Sequence, residues 1–471
     1  MNIVALKQNI EQFYKKSRNT FAEKTSNMKN QQFTPLLIVL LCTSFLLFSW
    51  VSCNQTDEAL KSTDGIMFAM LRNLDEGVTA TDKVHGYAIM DFNPYSEAFG
   101  EILQMTKDRL GHHGYISPVN GGLYVTLADD LVARVQVSIM SNGLPKIKGI
   151  SASLPDDDLR VGEDIMWFKD NGRDMYAVTS LDGTGDDILG GICIYDANTD
   201  QLVRTITDAK QLRYTHGISM FDNSAIGLVT SVVHEDVLLT GVPSVDSLGH
   251  EVSLVNFATG KVLKNYDLGT TDDGFPVAPV ECAIFRKSFN KAFEGNERAL
   301  VLEMVGGNLL SADWNAQTQE FDDFKAVYSP QDEKEYFPLE IYADDSRIYV
   351  TYAERVKTFD INHYAATGQL RDAGVEYITK SCAHHLAFFD ATDPNTGETV
   401  PVVIIQQNLV NLGQQSFNVK FALPIELGMH EVTAYHRETG EVLRTVNIQE
   451  KYGMGIEYIG GFNENAYAHH H

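Results

Sequence analysis

The chain has 471 residues, 44% of them hydrophobic, and a formal net charge of −26. That apolar share is ordinary for a folded globular chain. So acidic a protein is a poor match for a phosphate backbone, which selects basic surfaces, and nucleic acid is excluded as a partner.

Residues 1–53 differ from the rest and are read as a cytoplasmic extension followed by a signal peptide or membrane anchor. Thr34–Ser52 carries no charged residue and is dominated by Leu, Ile, Val and Phe. It is long enough to just span a bilayer, and it also suits the apolar core of a signal peptide. Read from Met28, the segment gives a lysine, a polar patch, an apolar run and Val51-Ser52-Cys53, the layout of a bacterial lipoprotein signal with Cys53 as the lipidated residue. An uncleaved signal anchor is the alternative. Both export everything after Cys53 and attach it to a membrane, in the periplasm or on the outer surface. Residues 54–80 read as a polar tether. Of the five cysteines, Cys193, Cys282 and Cys382 are far apart and no CxxC is present, so neither a disulfide framework nor a cysteine zinc site is expected.

From residue 81 onward one phrase recurs: a His or Glu, a short apolar run, a polar turn, then a β-rich strand. Its copies begin at His113, Glu163, His216, Glu281, Glu340, His384 and Glu457. A second phrase follows most copies, a strand, a tight turn often containing Thr-Gly, and another strand, as in NFATGKVLKNY, DINHYAATGQL and HRETGEVLRTV. Two hairpins per repeat make a four-stranded blade. Residues 81–471 are therefore read as an all-β, seven-bladed β-propeller. The last copy ends after two strands, and the stretch His85–Leu103 supplies the missing pair. An N-terminal hairpin that completes the last blade would close the ring and remove its open edge.

The first strand of a propeller blade runs along the central channel, so the residues that open each copy fall at one level there. His112 and His385 sit beside two of them. Because a strand alternates faces, only one His of each dyad need point inward. Carboxylates gathered on a narrow axis repel one another and call for protons or a cation. A divalent transition metal meets that need, with imidazoles as ligands and Glu163, Glu281, Glu340 and Glu457 orienting them or moving protons. Several imidazoles without a thiolate favour copper or non-haem iron over calcium or structural zinc. A wet channel, with these side chains paired to nearby backbone, is the competing reading. His234 is a weaker candidate at the rim, and His430 and His436 read as surface residues of outer strands. No GxSxG, P-loop, GxGxxG or HExxH motif is present.

The stretch Tyr87–Tyr115 resembles the selenium-binding-protein and methanethiol-oxidase family. The matching residues are Asp91, Asn93, Pro94, Ser96, Phe99, Ile102, His112, His113, Gly114 and Tyr115. The resemblance covers about 30 residues and implies a seven-bladed propeller with histidine-bound copper, which puts His112 and His113 at the metal and copper before iron. The family's Pro-His-Thr segment is not recognisable here, and the dyad stands one residue closer.

Two functions are consistent with these features. One is a metal-dependent oxidase of the cell envelope, with His112, His113, His216, His384 and His385 as ligands and a small molecule in the channel. The other is a non-catalytic lipoprotein that captures a ligand, such as a metal chelate, or scaffolds a membrane protein complex.

Overall fold

The computed structural model describes residues 65–76, 81–141, 144–156, 158–184, 188–208, 210–234, 245–272, 274–408, 430–462 and 468–469. The apolar segment 34–52 and Cys53 lie outside the described residues. Among the described residues no helix is long and apolar enough to cross a membrane.

The described chain forms seven antiparallel sheets, the blades of a β-propeller. Numbered along the chain, their inner strands are Gly111–Ile116, Leu159–Asp170, Thr215–Met220, Pro279–Phe285, Ile341–Ala343, Ala383–Thr392 and Met454–Gly461. Blades 1 to 6 each pair consecutive strands outward from the inner one. Blade 4 adds Lys325–Tyr328, and blade 5 adds Ala468–His469 beside its inner strand. Blade 7 has a different make-up. Its inner strand is followed outward by Ile66–Asn73, His85–Asp91 and Glu101–Asp108. Ile66–Asn73, expected within the polar tether, is thus a blade strand. Its sequence IMFAMLRN explains why: Met67, Phe68, Ala69, Met70 and Leu71 are all buried, on both faces of the sheet.

Burial along the strands shows how sequence selects position. His85–Asp91 is buried throughout, whereas the outermost strand of the same blade, Glu101–Asp108, alternates exposed and half-buried residues. Charged outer strands such as this one discourage edge-to-edge pairing. Seven apolar clusters lie mainly between neighbouring blades. One joins Phe68, Met70 and Tyr87 of blade 7 to Leu123 and Val125 of blade 1, and another joins Met67 and Ala88 of blade 7 to Ala387 and Ile404 of blade 6.

Two local expectations need correction. The segment DINHYAATGQL was expected to be a tight turn, but Ile361–Thr367 is a short helix. Asp360 caps it by accepting from His363 N–H at 2.9 Å, and Gly368 ends it in the left-handed conformation. His430 is not on the surface. It is buried and its Nδ1 accepts from the Ile456 N–H at 3.1 Å, which ties blade 6 to the inner strand of blade 7. Cys193, Cys282 and Cys382 are buried free thiols.

Candidate metal centre

Five of the inner strands are irregular at the position where the repeat opens. His112 and His113 together oppose Thr126, Glu163 and Asp164 oppose Thr179, and His216 and Gly217 oppose Thr230. Val280 and Glu281 oppose Leu302, and His384 and His385 oppose Gln406. These are β-bulges, two residues against one, which re-aim side chains. They suspend the strand alternation under which only one His of each dyad need point inward. With alternation suspended, both histidines of each dyad reach the channel cluster, their rings stacked at 4.2 Å in the first dyad and 3.9 Å in the second.

The residue opposite most bulges holds it in place. Thr126 Oγ1 accepts from His113 N–H at 3.0 Å, Thr179 Oγ1 from Asp164 N–H at 2.9 Å, Thr230 Oγ1 from Gly217 N–H at 2.8 Å and Thr351 Oγ1 from Glu340 N–H at 2.9 Å. Gln406 Oε1 does the same for His385 N–H at 3.3 Å. Several of these side chains also donate to the next blade: Thr179 to the His216 carbonyl at 2.6 Å, Thr230 to the Val280 carbonyl at 2.8 Å and Gln406 to the Ile456 carbonyl at 2.9 Å. A ring of short polar side chains thereby satisfies buried backbone groups and fixes the spacing of the channel residues.

The channel side chains fall into two neighbouring sets, the second made of two groups that share His216: His112, Glu163 and His216, and Asp164, His216 and Glu281. In the first, His113, Glu340, His384 and His385 are all buried, and each offers one ligand atom within 4.8 Å of the others. His384 Nε2 lies 3.4 Å from Glu340 Oε1, and its Nδ1 lies 3.1 Å from Asn408 Oδ1. The His113 and His385 rings meet edge to face at 4.9 Å. Nδ1 of His113 faces Asp164 at 3.3 Å and the Tyr115 hydroxyl at 3.2 Å, while its Nε2 is buried with no hydrogen-bond partner among the described residues. Burial, reinforced by the neighbouring His112, lowers His113 to about 4. Burial and the histidines of the dyad opposite likewise hold His384 well below the usual imidazole range.

The second set is paired within itself. Glu163 lies between two imidazoles, 3.0 Å from His112 Nε2 and 3.4 Å from His216 Nε2. His216 Nδ1 lies 3.2 Å from Glu281. Burial opposes charge on His216, but Glu163 and Glu281 outweigh it and push the imidazole up to about 10. The same contest raises His112, and the facing imidazoles hold Glu163 below the usual carboxylate range against its burial. Gly217 lets Glu281 approach closely, since a Cβ at that position would stand 2.7 Å from Glu281 Oε1 and the carboxylate would have to shift.

Of the expected ring, Glu457 stands apart. It joins neither set and faces Arg72 at 3.6 Å. Arg72 comes from the strand expected to be tether, so its arrival beside Glu457 was not foreseeable from the repeat. His234 faces Asp182 at 3.8 Å, also outside both sets. Asp164, Asn408 and Tyr115 were not expected to take part. Asp164 had a signal, since Glu163-Asp164 occupies the same repeat position as His112-His113 and His384-His385.

No protein-family model matches the chain, and no curated protein matches it. Solved structures do resemble it. A hypothetical selenium-binding protein from Sulfolobus tokodaii superposes with a TM-score of 0.59 at 11% identity, covering 84% of this chain and 93% of its own. A functionally unknown protein from Desulfotomaculum acetoxidans matches at a TM-score of 0.47 and 13% identity, covering 83% of this chain and 98% of its own. At such identity the first likeness speaks for the fold: this is a seven-bladed propeller of the shape found in the Sulfolobus protein, with His/Glu groups in its channel that could hold a metal ion.

Proposed function

We propose that the channel binds one transition metal ion, copper before iron, through His113, His384 and His385 with Glu340, and that the protein is a metal-dependent oxidoreductase. The observation that carries this reading is the buried, unpartnered Nε2 of His113, facing two further imidazoles and a carboxylate. Metal ligation requires neutral imidazole, and burial already keeps His113 and His384 in that form near neutral pH. Three imidazoles and one carboxylate without a thiolate suit copper or non-haem iron. Bound there, such a metal would supply a one-electron redox centre and a Lewis acid. Asn408 orients His384, and Asp164 with Tyr115 orients His113, as outer partners of metal-bound histidines commonly do. The Sulfolobus neighbour, which shares the fold, is described as a hypothetical selenium-binding protein.

The test is metal titration of protein freed of metal and purified without a histidine-affinity step. The wild type takes up about one equivalent of copper. H113A, H384A and H385A each lose it while remaining folded, and E457Q keeps it because Glu457 stands outside the cluster. Copper uptake that survives the paired change H113A/H384A refutes the site. We further propose attachment to the cell envelope through a lipid on Cys53. C53S should move the protein from the membrane fraction to the soluble fraction, and an unchanged distribution favours the uncleaved anchor.

A further inference from the structure

We propose that Tyr115, Trp167 and the pair Tyr124/Tyr176 form a relay that carries single electrons between the channel centre and the outer part of blades 1 and 2. The proposal rests on the metal reading above. The rings follow one another closely: the Tyr115 hydroxyl is 3.2 Å from His113 Nδ1, the Tyr115 and Trp167 rings are 6.4 Å apart, and Trp167 is 6.0 Å from Tyr124 and 5.9 Å from Tyr176. Each of these rings is an oxidisable type, and each tyrosine has a base for its proton. The Tyr115 hydroxyl donates to Asp164, and the Tyr124 and Tyr176 hydroxyls donate to Asp200 at 2.8 and 3.2 Å. Asp200 in turn pairs at 3.1 Å with Arg134, whose side chain is 42% exposed, so the outer end reaches solvent.

A second aromatic path from the centre, among the described residues, is interrupted. His385 touches Tyr458 at 4.8 Å, but the next ring is Phe68, which is far harder to oxidise. Inter-blade packing alone accounts for stacked rings. It does not account for a carboxylate at each phenol of one path and a phenylalanine interrupting the other.

The step balances as follows. Tyr115 gives one electron to the oxidised metal and its phenolic proton to Asp164. Trp167 then gives one electron to Tyr115, which recovers its proton. Tyr124 or Tyr176 re-reduces Trp167 and passes its own proton to Asp200. A one-electron reductant in solution, such as ascorbate, restores the outer tyrosine. Net, one electron reaches the metal from outside.

The full chain is labelled with a ruthenium photo-oxidant on R134C, with Cys53 and Cys42 of the apolar run changed to Ser and the buried Cys193, Cys282 and Cys382 kept, and copper content is measured in every sample. In copper(I)-loaded protein a flash converts copper(I) to copper(II), read by electron paramagnetic resonance, and W167F and Y115F slow this about tenfold or more. In metal-free protein the flash produces a tyrosyl signal that Y115F diminishes and W167F delays. A copper oxidation rate unchanged in W167F and Y115F overturns the relay. If no copper binds, the metal reading fails and the metal-free arm decides: a tyrosyl signal indifferent to both substitutions overturns the relay, and dependence on both supports it. Thermal melts of each variant separate misfolding from loss of the path.

Discussion

Glu163→Gln tests how the channel holds its charges. The Glu163 carboxylate is 1% exposed and faces His112 and His216 at 3.0 and 3.4 Å. The pKa of His216 rises from 6.5 to about 10, with Glu163 the largest of the attractions that overcome burial. Between those values the native state binds one proton that the unfolded chain does not. This stabilisation is therefore whole below the unfolded value and drains as pH rises toward 10. The slope for one proton is about 1.4 kcal/mol per pH unit, so His216 contributes about 5 kcal/mol at most across the window. Glu163, whose pKa is lowered, acts on the other side: its contribution is present above the unfolded carboxylate value and is lost on acidification. In E163Q, Glu281 still faces His216 at 3.2 Å and the amide oxygen still accepts one N–H. The variant should lose about 2–4 kcal/mol near pH 6, toward the low end for a broken buried pair. It should also show a shallower fall between pH 7 and 10. Urea midpoints of metal-free protein from pH 5 to 10, with unchanged m, measure both. Wild-type and E163Q curves that run parallel from pH 7 to 10 would refute the electrostatic account.

Thr179→Val keeps the shape but leaves the Asp164 N–H and the His216 carbonyl without the partners that Thr179 supplies. Two buried backbone groups are affected, so the expected loss is about 2–4 kcal/mol by denaturant titration. A loss no larger than that of a surface Thr→Val change sinks the role given to the ring. Gly217→Ala places a methyl 2.7 Å from Glu281 Oε1 and should cost about 1–3 kcal/mol by overpacking. It should also lower the pKa of His216, followed by NMR titration of the imidazole protons; an unmoved His216 would show that Glu281 is not displaced.

Much of the propeller was legible because each blade must repeat the same inner strand, and repetition survives divergence of everything else. The openings at His113, Glu163, His216, Glu281, Glu340 and His384 all reach the channel sets. What repetition cannot show is a residue that enters from outside the repeat. Arg72 does so and draws Glu457 away. The strand Ile66–Asn73 was missed because it follows a polar stretch, although its own apolar run is as strong as that of any inner strand. The bulges were also hidden. Their signal is a Thr in the second strand (LYVTL, AVTS, LVTS, YVTY), which looks like ordinary β-propensity until its hydroxyl is seen accepting the bulge N–H.

The ring makes the two sides of the channel electrostatically different. Blades 2, 3 and 4 contribute Glu163, His216 and Glu281 in succession, so His216 stands between two carboxylates and is held as a cation. Without a metal, that part of the channel balances its carboxylates with imidazolium from within. Blades 5, 6 and 1 contribute Glu340, the dyad His384-His385, and His113. There three imidazoles face one carboxylate, and burial favours their neutral form at His113 and His384. Had Glu457 of blade 7, between the two dyads in the ring, turned toward them, it would have favoured protonated histidines there as Glu163 does for His112. Glu457 already helps to raise His112, and the Arg72 guanidinium 3.6 Å from it counters that pull on the dyads. Converting Arg72 to Met should therefore weaken copper binding without removing a ligand, by freeing Glu457 to compete for the imidazole protons. Copper titration of R72M beside the double variant R72M/E457Q checks this: the second change should restore affinity, and failure to restore it would show that Arg72 acts on the site in some other way.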